Sequence, residues 1–156
     1  MGKRCKGLIL NVSGDEVLRY LIGRYLRQAG LTVREASTGA EALDLVAGEP
    51  PDLAVLDLAL PDMSGYCLGR TLWHAPSTSS IRLLYVSDTR VADERRIESL
   101  ASGGDASMTH PIDRDEFLTT VAMLLGQRRD ARRGRAPWSL PSLPRALGAA
   151  SPIDAR

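Results

Sequence analysis

Three kinds of side chain in this sequence could do chemistry together: the Asp57 carboxylate, the Ser13 and Ser87 hydroxyls, and the His110 imidazole. Each stands at or just after the end of a short apolar run. Ser13 and Gly14 follow Gly7–Val12, Asp57 closes Leu53–Leu56, Ser87 and Asp88 follow Ile81–Val86, and His110 and Pro111 follow Ala106–Thr109. If those runs are parallel strands, the groups collect on one sheet edge, outside the carboxyl ends where open α/β sheets hold their ligands. Other chemistries lack their parts. Neither GxGxxG nor GxxxxGK followed by Ser or Thr occurs, so no glycine-rich loop can cradle a nucleotide's phosphates. Cys5 and Cys67 form no CxxC or Cys/His cluster for zinc, and two cysteines cannot staple 156 residues. No base–nucleophile pair is visible, so the chain is not expected to be an enzyme.

The elements that position these groups follow from two alternating periodicities. After the first strand, Asp15–Ala29 carries Val17, Leu18, Leu21, Ile22, Tyr25 and Leu26 at helical spacing, and Gly30 stops it as a C′ glycine would. Leu31–Ala36 reads as a strand. Thr38 and Glu41 form a T-x-x-E capping box for a helix over Ala40–Ala47. Pro50-Pro51 then breaks the chain before the strand that ends on Asp57. A loop with Pro61 leads to a helix from about Ser64 to His74, Val91–Ala101 gives another, and Arg114–Leu125 the last. Five strands alternating with five helices imply a parallel sheet covered on both faces. With right-handed crossovers the expected fold is α/β, a (βα)5 doubly wound five-stranded parallel sheet of the flavodoxin-like type.

The run from Asp57 to Gly65, with Asp57, Pro61 and Gly65 four residues apart, resembles the receiver domain of two-component response regulators, the CheY-like family. Ser87 closing the fourth strand and His110-Pro111 closing the fifth add to the likeness, which covers residues 6–126. The resemblance implies phosphorylation of Asp57 by a histidine kinase or hybrid kinase. It implies Mg²⁺ on Asp57, the Ala59 carbonyl and an acidic pair after the first strand. It also implies phosphoryl binding by Ser87 and by the residue at His110, an inward-swinging aromatic in the fifth strand, and a cis bond before Pro111. A dianionic phosphoryl donor near a carboxylate needs that counter-charge.

Here most of the counter-charge is missing. Ser13 and Gly14 stand where the acidic pair belongs, and Mg²⁺ should bind weakly to one carboxylate and a carbonyl. Asp15 comes one place late and suits a helix cap; it and Asp88 are the possible substitute ligands. His110, mostly neutral at pH 7 from a reference value of about 6.5, replaces lysine. Asp88 sits where a small residue leaves room for the phosphoryl group, and Ser107 replaces the aromatic. Such a pattern is that of a pseudo-receiver. Asp57 is then either a phospho-acceptor or a carboxylate held at a strand end by backbone donors.

Charge divides the chain. Residues 1–126 carry 13 basic and 17 acidic side chains, net −4, whereas residues 127–156 carry seven arginines against two acids, net +5. Arg128, Arg129, Arg132, Arg133 and Arg135 precede a proline-rich stretch with Trp138, Leu140 and Leu143, read as a mostly disordered tail. Overall net charge is +1, which argues against a generic nucleic-acid or membrane-surface binder. The longest apolar runs fall far short of the roughly 18 residues a membrane span needs. Leu8-Ile9-Leu10 is too short for a signal-peptide core, so a cytoplasmic protein is expected. Cys67 is expected to be a buried small hydrophobe, Trp73 and His74 a core contact with a polar helix end, and Arg90–Arg96 a solvated face.

The expectation is a stand-alone receiver with a basic tail, signalling by protein–protein contact with a kinase and a downstream protein. Two mechanisms compete. In one, the degenerate site fixes a single conformation, and specificity lies between the expected helix over 91–101 and the last helix. In the other, Asp57 accepts phosphoryl with Ser87 and a rearranged metal site. A third reading gives the arginine tail nucleic acid as partner, with binding that falls steeply with salt.

Overall fold

The structure, a computed structural model, describes residues 7–87 and 104–126. The helix expected over 91–101, Asp88, Arg90–Arg96 and the tail from 127 to 156 lie outside the described residues. Five strands, β1 (Leu8–Val12), β2 (Thr32–Ala36), β3 (Leu53–Asp57), β4 (Arg82–Ser87) and β5 (Ala106–Thr109), form one sheet in the order β2-β1-β3-β4-β5. Every neighbouring pair is parallel. Four described helices flank it: α1 (Glu16–Gln28), α2 (Gly39–Gly48), α3 (Gly65–His74) and α4 (Arg114–Gly126). This is the doubly wound, flavodoxin-like α/β sandwich.

Alternation along the central strands divides the core in two. Leu10, Val12, Ala54, Leu56, Leu83 and Tyr85 pack on one face with Ala42 and Val46 of α2 and Leu68 and Leu72 of α3. Ile9, Leu53, Val55, Leu84 and Val86 pack on the other with Leu18, Ile22 and Leu26 of α1 and Phe117, Val121 and Leu124 of α4. Strands buried on both faces need continuous apolar runs, and β3 and β4 supply them. Tyr25 and Phe117, ring centroids 6.2 Å apart, join α1 to α4.

Local signals set the helix ends. Asp15 caps α1, its Oδ1 accepting from the N–H groups of Val17 and Leu18 at 2.9 and 3.2 Å. At the other end Gly30 has φ +88, and the bonds Gly30 N–H to Arg27 O and Leu31 N–H to Leu26 O make a Schellman closure. Thr38 Oγ1 accepts from the Glu41 N–H at 3.0 Å, as the capping box predicts. The reciprocal bond differs: Glu41 Oε1 reaches back to the Ser37 N–H at 2.9 Å, one residue earlier than the box requires.

Two burial expectations fail, both through helix phase. Cys67 is exposed, because the inward side of α3 is already taken by Gly65, Tyr66, Leu68, Gly69 and Leu72. Val17 is 75% exposed, since the buried stripe of α1 runs through Leu18, Ile22 and Leu26. Trp73 is partly buried and His74 exposed.

Candidate functional site

The register that pairs Val12 with Leu56 and Asp57 with Val86 brings the three central strand ends level. Ser13, one step past β1, continues the ladder by donating its N–H to the Ala36 carbonyl at 3.1 Å. That step puts its side chain beside Asp57. Ser13 Oγ donates to Asp57 Oδ2 at 2.8 Å, and both residues are buried, at 1% and 9% exposure. The hydroxyl has one proton and two nearby acceptors. The Asp15 carbonyl at 3.4 Å is the poorer, so the carboxylate takes the proton. Ser13 Oγ in turn accepts the Asp15 N–H at 3.1 Å. Asp57 Oδ1 accepts the Ala59 N–H at 3.1 Å, which is how Ala59 meets the carboxylate.

Beyond Asp57 the chain turns sharply into α3. A Cβ on Gly65 would lie 2.8 Å from the Leu58 Cα and would strike the Asp57 carbonyl, so the glycine that ends the motif is the residue that lets α3 start there. A Cβ on Gly14 would lie 2.9 Å from the Pro61 ring. The loop is also tied to α2, because the two Asp62 carboxylate oxygens accept the Gly39 and Ala40 N–H groups at 2.9 and 3.0 Å. Those two bonds, Gly39 first, hold the Asp62 carboxyl below its ordinary value. Together with Thr38 they satisfy the first N–H groups of α2.

Ser87 and His110 are adjacent on this edge: the His110 N–H donates to the Ser87 carbonyl at 2.9 Å, and the His110–Pro111 bond is cis. Ser87 is buried and His110 half-buried. Ser107 pairs in register with Tyr85 of β4, and Tyr85 is wholly buried, tilted against Tyr66 with centroids 5.4 Å apart. An aromatic ring therefore does occupy this level of the sheet, one strand away from where the resemblance placed it. Its hydroxyl end fills the space a Cβ on Gly69 would need.

Sequence reasoning brought Ser13, Gly14, Asp57, Ser87, Asp88, His110 and Pro111 to one edge. All but Asp88, which lies outside the described residues, stand at the carboxyl ends of their strands, and Ala59, named by the resemblance, meets Asp57 through its amide. The same reasoning placed the Ser13 hydroxyl at this edge, where an acid of the family pattern is missing, but did not foresee its bond to Asp57. It also missed Arg19, whose Nη1 donates to the Ser13 carbonyl at 2.7 Å and whose Nε lies 3.8 Å from Glu35. No local pattern marks Arg19; Asp62, an acid next to Pro61 in the loop, carried a readable hint. As a cation site the described donors do not fit Mg²⁺, which takes near-octahedral oxygen ligands. Asp57 Oδ2 already accepts a hydroxyl, Oδ1 an amide, and Asp15 Oδ1 serves α1. Among the described residues no three His, Cys, Asp or Glu side chains gather as ligands.

Comparison with known proteins agrees with this architecture. The response regulator receiver domain matches residues 9–122. The chain is 32% identical over 117 residues to the probable transcriptional regulatory protein TcrX of Mycobacterium tuberculosis, covering 75% of this chain and 49% of that protein. It is 35% identical over 117 residues to the transcriptional regulatory protein KdpE of the same species, covering 73% and 49%. The chain thus spans about half the length of the curated relatives it matches. Among solved structures, a putative response regulator from Chloroflexus aurantiacus superposes with a TM-score of 0.76 at 25% identity, over 79% of this chain and 100% of that one. The signal receiver domain of a signal transduction histidine kinase from Syntrophus aciditrophicus gives 0.68 at 28% identity, over 76% and 89%. Among the described residues no helix is long and apolar enough to cross a membrane.

Proposed function

Because the chain belongs to the response regulator receiver domain family, whose members work with histidine kinases in two-component signalling, we propose that it is a degenerate receiver acting by protein–protein contact. In this reading residues 6–126 form the receiver and residues 127–156 a basic extension of it. Asp57 keeps the place of the phospho-acceptor but holds a fixed arrangement, and partner choice lies on the surface reaching to α4. The observation that carries the reading is the buried 2.8 Å hydrogen bond from Ser13 to Asp57. It occupies one oxygen of the carboxylate with a neutral group that stands in place of an acidic pair. The named relatives are transcriptional regulators, but this chain spans half their length, so DNA binding is not carried over from them.

A second reading keeps Asp57 as a working acceptor. It is favoured by one observation, the adjacency of Ser87 and His110 on the same edge through a 2.9 Å backbone bond. In that case Ser87 and His110 would hold the phosphoryl oxygens. Intact mass after incubation with a small phosphodonor and Mg²⁺, beside Asp57→Asn, separates the two. The degenerate reading predicts no added phosphoryl group in either protein. One group added to the wild type alone would overturn it in favour of the second.

A further inference from the structure

We infer that the Ser13 hydroxyl takes the place of a divalent cation on Asp57, so that Asp57 and the loop behind it keep their arrangement without metal; this deepens the degenerate-receiver reading and rests on it. A buried carboxylate must have its oxygens satisfied. Here Oδ1 is met by a backbone amide and Oδ2 by Ser13. What makes the hydroxyl a dependable partner is how firmly Ser13 itself is held. Its N–H is bound to the Ala36 carbonyl at 3.1 Å, its carbonyl to Arg19 Nη1 at 2.7 Å, and its Oγ accepts the Asp15 N–H at 3.1 Å. Turning the hydroxyl away would break the bond from the Asp15 amide as well as the bond to Asp57. A cation approaching Oδ2 must first dislodge this group, and among the described residues no three His, Cys, Asp or Glu side chains gather to receive it.

Residue 13 therefore decides whether the edge depends on metal. An acid at that position would bring a second carboxylate to within about a hydrogen-bond length of the first, and like charges that close demand a proton or a cation between them. Gly14 is less able to supply that acid, because a side chain there requires the Pro61 ring to move.

The test titrates the full chain with Mg²⁺ by calorimetry and follows its thermal midpoint with and without Mg²⁺. The wild type is expected to show no saturable binding that depends on Asp57 and an unchanged midpoint. Ser13→Asp is expected to bind at least tenfold more tightly than the wild type, with a midpoint that rises on adding Mg²⁺. Ser13→Asn, similar in size but uncharged, should gain nothing, and adding Asp57→Asn to Ser13→Asp should abolish the gain. Saturable, Asp57-dependent binding by the wild type overturns the inference. So does a Ser13→Asp protein that is folded by circular dichroism yet binds no better. Should Ser13→Asp not fold, the wild-type titration against Asp57→Asn still decides. The phosphodonor assay is separate: a wild type that accepts phosphoryl while ignoring Mg²⁺ removes the degenerate reading and leaves the role of Ser13 intact.

Discussion

At the amino edge of the sheet Arg82 and Asp105 meet at 3.9 Å with side chains 2% and 5% exposed, and Asp105 also accepts the Leu83 N–H at 2.9 Å. At the carboxyl edge Asp57 is nearly as buried, yet among the described residues it has a hydroxyl and an amide as partners and no ion pair. The first carboxylate is matched by opposite charge, as a group that serves only the fold must be if it is to stay ionised. The second is kept in place, among the described residues, by neutral donors that fix its position.

The strongest attack on this contrast is Arg82→Ala. Removing the guanidinium takes one buried charge away from the pair it forms with Asp105, and the loss of stability should be about 3–5 kcal/mol, read from urea denaturation midpoints. At the other edge Ser13→Ala removes a neutral partner, so the cost should be smaller, about 1.5–3 kcal/mol by the same measurement. The sharper statement concerns Asp57→Asn. It removes a charge that no ion pair among the described residues meets and keeps a carbonyl oxygen and an NH₂ for Ala59 and Ser13, so its midpoint should equal or exceed the wild type's. If Asp57→Asn is instead as damaging as Arg82→Ala, the two edges are alike and the contrast collapses.

Smaller effects refine the carboxyl edge. Asp15→Ala removes the α1 cap and should cost about 0.5–2 kcal/mol, with the Ser13–Asp57 bond unaffected. If Asp15 is a cap alone, Asp15→Ser should restore most of that loss. The smallest effect is at Asp62, whose carboxyl is held below its ordinary value of 3.8 by the Gly39 and Ala40 amides. A carboxyl depressed in the folded state stabilises fully above its unfolded value, and that contribution fades as pH falls through the folded value. The gap in urea midpoint between wild type and Asp62→Asn should therefore be open at neutral pH and narrow in acid, well below 3.8.

How much of this was legible from residue order follows the range of each interaction. β5 over Ala106–Thr109 has the expected ends, and β3 ends on Asp57 as its apolar run implies. The caps at Asp15 and Thr38 were readable because donor and acceptor lie within three residues. The Ser13–Asp57 bond spans 44 residues, and nothing in either segment announces it; it appears only once strand order and register are known. Tyr85 against Gly69 was hidden for the same reason. The burial of Arg82, inside the run Ile81–Val86, was not legible either, since its partner Asp105 is distant in sequence.

The bonds from Gly39 and Ala40 to Asp62 reach across 23 and 22 residues, from the start of α2 to the loop that follows Asp57. Those two amides are consequently reporters for a part of the molecule they do not belong to. Any partner that pulls residues 58–64 aside must release them, and their solvent exchange will quicken while the rest of α2 stays protected. A hydrogen-exchange map would thus record an event at the Asp57 edge as a change at the first turn of a different helix.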